Sequence, residues 1–121
     1  ERHARLQIQF VLPQPTKFNL VRAPLTSRKF IAGNWKMHLN RADSVALAQA
    51  VANKAISYKT VDVALCPTFT NLDVVRGALA GTSIALGAQN MNANPQGAFT
   101  GEISTAMLLD VGCKYVILGH S

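Results

Sequence analysis

Four side chains at the ends of apolar runs are the ones best placed to do chemistry: Asn34, Lys36, His120 and Ser121. His120 and Ser121 follow Tyr115-Val116-Ile117-Leu118, a run without polar–apolar alternation. Such a run suits a parallel strand covered on both faces, although a buried helix segment reads the same over so short a window. In parallel α/β proteins, ligands bind and reactions occur at the C-terminal ends of strands. His120 is therefore a candidate. The competing reading is a hydrogen-bonded structural histidine, and residues 115–121 taken alone slightly favour it. Asn34 and Lys36 close another apolar run, residues 29–35. An amide can both donate and accept, and a lysine brings a cation. The ordinary alternatives are turn chemistry for Asn34 and a solvated surface position for Lys36.

These residues matter together only if the elements between them bring strand ends to one face. After the first strand at 29–35, Asn40 with Asp43 three positions later resembles a helix start. Val45, Ala48, Val51, Ala52, Ala55 and Ile56 then follow helical spacing. Residues 61–67 form a second strand closed by Pro67, and Thr70 with Asp73 opens a second helix running to about Ala80. Residues 83–90 form a third strand. A polar loop leads to a third helix near 104–111, which Gly112 can end in a left-handed conformation. Residues 115–121 form the fourth strand. The order β-α-β-α-β-α-β predicts a parallel sheet with right-handed crossovers. Its strands end in Asn34 and Lys36, Thr68, Gln89 and Asn90, and His120 and Ser121. That convergence moves the balance towards a site. His3 and His38 have no motif behind them, and Met37 and Met91 read as packing residues.

Composition narrows the classes. The 121 residues are 49% hydrophobic and 15% charged, which is room for one globular domain. No apolar stretch is long enough to cross a bilayer. Of the net charge of +6, half lies in residues 1–27, where four basic residues face Glu1 alone. The remaining basic residues are scattered without interleaved aromatics, so no nucleic-acid surface is indicated. Cys66 and Cys113 have no metal-binding or disulfide pattern around them and read as small buried thiols in a reducing compartment. Residues 1–27 hold three prolines and no convincing periodicity, and the sequence does not open with Met. They are acid-poor and Arg-bearing like a transit peptide, but with a single serine. An unstructured extension or upstream segment is the expectation, with organellar targeting as the alternative.

Four motifs, in this order, closely resemble the triosephosphate isomerase family: AGNWKM at 32–37, GAQN at 87–90, GAFTGEIS at 97–104 and KYVILGHS at 114–121. The resemblance covers essentially all of residues 28–121. It implies an α/β fold, the (β/α)8 TIM barrel, which needs about 250 residues. Here only the first four strands and three helices are expected, as though the sequence were cut after strand four.

The resemblance also implies interconversion of dihydroxyacetone phosphate and D-glyceraldehyde 3-phosphate in glycolysis and gluconeogenesis, through an enediolate, with no cofactor and no metal. His120 matches the electrophile that donates a hydrogen bond to the substrate oxygen, and Lys36 the lysine that holds the phosphorylated substrate. Asn34 matches a substrate-contacting amide, and Ser121 takes a supporting place beside the electrophile. Thr100 and Glu102 lie in a loop that reaches into the neighbouring subunit in this family, so a homodimer is implied. The portion NMNANPQ departs from the family pattern. The family's Glu base, lid and later phosphate-binding turns have no counterpart here, which predicts that this stretch alone is inactive. A cytoplasmic location, with neither nucleic acid nor membrane as partner, goes with the family. The alternative class is a non-catalytic half-barrel that only binds or assembles.

Overall fold

A computed structural model of the chain describes residues 29–120. The expectations for residues 1–27 and for Ser121 lie outside these described residues. Within them the order is strand β1 (Lys29–Asn34), helix α1 (Arg41–Ala55), strand β2 (Val61–Cys66), helix α2 (Leu72–Leu79), strand β3 (Ala85–Ala88), helix α3 (Thr105–Val111) and strand β4 (Cys113–Val116). The strands form one sheet in the order β1-β2-β3-β4, and every pairing is parallel. The alternation of strand and helix dictates this, since each crossover helix returns the chain to the same end of the sheet.

Register assigns the two faces. Phe30, Ala32 and Asn34 of β1 pair with Asp62, Ala64 and Cys66 of β2 and share one face. Leu65 pairs with Leu86 on the other face. There they join Ala48, Ala52, Leu72, Val75, Leu79 and Leu108 from the three helices in a single apolar core. The sheet is curled. Strands β1 and β4 stand three spacings apart, about 14 Å in a flat sheet, yet the rings of Phe30 and Tyr115 lie 4.7 Å apart, centroid to centroid. Only a concave sheet brings those side chains together, as in the wall of a barrel.

The structure moves several expected boundaries. Helix α1 buries Ser44, Ala48 and Ala52, whereas Ile56 is past the helix and 70% exposed. A 3-10 turn, Phe69–Asn71, precedes α2, so Asn71 and not Thr70 takes the position before the helix. The hydroxyls of Thr68 and Thr70 are 3.1 Å apart, and Asn71 turns its amide back to Thr68 Oγ1 and Leu39 O. Strand β3 is shorter than residues 83–90. Strand β4 begins at Cys113, before the apolar run: a register shift at Leu86/Gly87 lets Leu86 face Cys113 and Gly87 face Tyr115, leaving Lys114 exposed. Hydrogen bonding continues past β4, since Ile117 N donates to Ala88 O at 2.9 Å. Helix α3 follows expectation. Ser104 Oγ accepts from Met107 N, and Gly112 ends the helix at φ 98°.

Candidate active site

The C-terminal ends of the strands carry the polar groups. Asn34 is the last residue of β1, and its Oδ1 accepts from Lys36 N at 3.0 Å. Trp35 N donates to Cys66 O at 3.1 Å, which ties the start of the connection to the end of β2. Lys36 then stands at φ 54°, in the left-handed region. For a residue with a long side chain this is a strained conformation, worth on the order of 1–3 kcal/mol, and such outliers cluster at functional sites. Two residues past β3, Gln89 donates from Nε2 to Lys36 O at 2.8 Å and to Cys66 O at 2.9 Å.

Asn34, Lys36 and Gln89 thus form one hydrogen-bonded group over the ends of β1, β2 and β3. His120 follows β4 at the same end of the sheet and is exposed. The structure brings Asn34 and Lys36 into direct contact and sets His120 on the far strand of the same rim. Neither the conformation of Lys36 nor the bond from Gln89 was foreseen. Gln89 was visible in the sequence only as a polar strand end, within GAQN.

The loop between β3 and α3 holds Thr100 and Glu102, both exposed. It is closed by its own hydrogen bonds: Glu102 N donates to Phe99 O at 3.0 Å, and Asn92 N to Ile103 O at 2.8 Å. Phe99 remains 45% exposed on this loop. A groove of about 320 Å³ lies at the opposite end of the sheet, lined in part by Arg76, Ile84, Gly112 and Lys114, and holds none of the strand-end residues. Beside it Arg76 donates to Asp110 O and lies across Gly112, which places a cation at the C-terminus of α3.

Burial pushes the Cys66 thiol up to about 12, with the nearby Cys113 adding to the effect, and pushes Cys113 up to about 11. Both are free cysteines. They are inert packing thiols at neutral pH. Among the described residues, no cluster of three or more His, Cys, Asp and Glu side chains offers a metal site.

A curled parallel sheet with helices over its convex face, and polar groups at its strand C-termini, defines the wall of a (β/α) barrel with its site at the usual end. The comparisons make the class specific. The triosephosphate isomerase family model matches residues 29–121, and the chain belongs to that family. It is 55% identical over 95 residues to triosephosphate isomerase from Magnetococcus marinus, covering 78% of this chain and 37% of that protein. It is 51% identical over 94 residues to triosephosphate isomerase from Carboxydothermus hydrogenoformans, covering 78% and 38%. The crystal structure of triosephosphate isomerase from Bartonella henselae superposes with a TM-score of 0.72 at 39% identity, over 78% of this chain and 39% of that one. The chain therefore spans a little over a third of the length of these relatives.

Proposed function

We propose that the full-length protein containing this chain interconverts dihydroxyacetone phosphate and D-glyceraldehyde 3-phosphate. The observation that carries this reading is the family match across residues 29–121, together with Asn34, Lys36 and His120 at one end of a parallel sheet. The reaction removes a proton beside a carbonyl, forms an enediolate, and returns the proton to the neighbouring carbon. Its difficulty is the negative charge gathering on oxygen. The Lys36 ammonium meets the phosphorylated substrate and offsets that charge, strongly so once water is excluded. His120 donates a hydrogen bond to the substrate oxygen. The Oδ1 atom of Asn34 is committed to Lys36 N, so its amide offers a ligand the NH2 donor.

The proton-abstracting base is a separate requirement. Among the described residues, Asp43, Asp73 and Asp110 lie on helices, Asp62 stands near the start of β2, and Glu102 belongs to the loop before α3. None occupies the strand ends that carry Lys36 and His120, so the base is assigned to the remainder of the full-length protein. A coupled assay of that protein tests the reading. Turnover that falls steeply in both Lys36→Ala and His120→Ala supports it, and a folded full-length protein without turnover overturns it.

The loop bearing Thr100 and Glu102 is proposed as a homodimer contact, supported by its exposed Phe99. Removing residues 97–101 from the full-length protein is expected to give a monomer in analytical ultracentrifugation. An unchanged dimer would overturn that contact. A cytoplasmic location accompanies the proposal: a fluorescent reporter carrying residues 1–27 should stay diffuse, and an organellar signal would replace this assignment.

A further inference from the structure

The groove at the end of the sheet away from Asn34, Lys36 and His120 carries charge that the fold leaves unanswered. Its walls come from the end of α2, the connection into β3 and the turn from α3 into β4, with Arg76, Leu79, Ser83, Ile84, Gly112 and Lys114 among the lining residues. Leu79 and Ile84 are buried, whereas Arg76, Ser83 and Lys114 are exposed. No Asp or Glu lines it. Two helix C-termini end here, and bare carbonyls at such ends would oppose an anion. These carbonyls are already matched. Leu79 O accepts from Thr82 N at 3.0 Å and from Thr82 Oγ1 at 2.7 Å, Leu109 O accepts from Gly112 N at 3.0 Å, and Asp110 O accepts from Arg76 at 3.4 Å. That last bond takes one of the five guanidinium donors. No carboxylate answers Arg76 or Lys114 among the described residues. The groove also survives barrel closure. Strand β3 is paired on both sides, with β2 and β4, so further strands joining at β1 or β4 leave its walls in place.

We infer that this groove binds a small dianion, a phosphate monoester or a dicarboxylate, at a site separate from the strand-end rim. A volume of about 320 Å³ lies at the small end of ligand pockets. It suits a short carbon skeleton and is too small for a nucleic acid or a protein segment. The planar Arg76 fork matches the edge of a carboxylate or phosphate, and Lys114 adds a point charge. The Ser83 hydroxyl supplies a further donor, and Leu79 and Ile84 offer apolar surface to the carbon skeleton.

The test titrates inorganic phosphate, and separately succinate, into the full-length protein and follows backbone amide shifts by NMR. Saturable shifts at Ser83, Gly112 and Lys114, with a Kd in the millimolar range, are expected from at least one of the two anions. Whichever anion produces them identifies the chemistry of the ligand. Lys114→Gln should weaken that binding about tenfold, the scale of one charge-assisted hydrogen bond. Its side chain is exposed, so the variant keeps the fold. Arg76→Gln should weaken binding at least as much, because the fork is lost. Shifts confined to Asn34, Lys36 and His120 would overturn the inference. So would groove shifts whose Kd is unchanged in Lys114→Gln, or silence at the groove with both anions.

Discussion

A lysine in the left-handed region is uncommon because its Cβ crowds the following carbonyl. At position 36 the strain coincides with the only lysine on the strand-end rim among the described residues, and Asn34 and Gln89 bond its backbone. If that ammonium meets developing charge, Lys36→Ala in the full-length protein should lower kcat/KM by roughly 10²–10³, the scale of losing one such stabilising group. Retention within tenfold in a steady-state assay would return Lys36 to an ordinary surface position. Cys66 gives a second test at this scale, with a pH sign. Its folded thiol is pushed from 9.0 up to about 12, so the folded state keeps a proton that the unfolded chain releases. Below pH 9 stability is unaffected. Above it, stability falls by up to ~1.4 kcal/mol per pH unit until the folded thiol itself ionises. Urea denaturation at pH 8 and 10 should show the full-length protein losing about 1 kcal/mol more than Cys66→Ala, and equal losses would contradict the buried thiol. The types at Asn34, Lys36 and His120 were legible in the sequence because strand ends are. The φ of Lys36 was not, and the glutamine that bonds its carbonyl, Gln89, is distant in sequence.

At the scale of elements, local signals were readable where one residue sets a boundary and misleading where tertiary contacts compete. Ser104 and Gly112 bracket α3 because a hydroxyl cap and a left-handed stop act within one turn. Ser104→Ala should therefore cost about 1 kcal/mol in chemical denaturation of the full-length protein, and Ser104→Asp should retain most of it. No loss in the alanine variant would deny the cap. The start of α2 was misplaced because Asn71 spends its side chain on Leu39 O and Thr68 Oγ1, so a residue type suited to capping serves the loop instead. The start of β4 was misplaced because Lys114 breaks the apolar run at the place where the register shift leaves it exposed. Gly87, beside that shift, shows how tightly the strands meet: a Cβ there would lie 2.6 Å from Cys66 Sγ. Gly87→Ala is expected to destabilise by roughly 1–3 kcal/mol. Combining it with Cys66→Ala should recover much of that loss, since the clashing atom is gone, and simple additivity in the double variant would refute the contact.

For the molecule as a whole, the decisive feature is that the sheet is curled but open. Among the described residues, strands β1 and β4 each pair on one side only, so each presents a row of backbone donors and acceptors to a further strand. Ile31 in β1 is 52% exposed, and Leu47 of α1 and Leu109 of α3 are 40% and 60% exposed. Parallel strands are normally covered on both faces, and a closed barrel removes edges altogether. Closure needs strands beyond the four described, and the relatives are more than twice as long as the matched region. Produced on its own, the 121-residue chain should therefore associate through its edges. It should also lack a sharp cooperative melt and show no isomerase turnover above background, because no described acid stands on the rim with Lys36 and His120. Sedimentation velocity, thermal circular dichroism and a coupled assay on one preparation test all three. A monomer that melts cooperatively would show that the aromatic pair Phe30–Tyr115 and the helical core suffice to hold an open wall. Turnover by that monomer would require a base within these residues, and the assignment of the reaction across the strand ends would have to be redrawn.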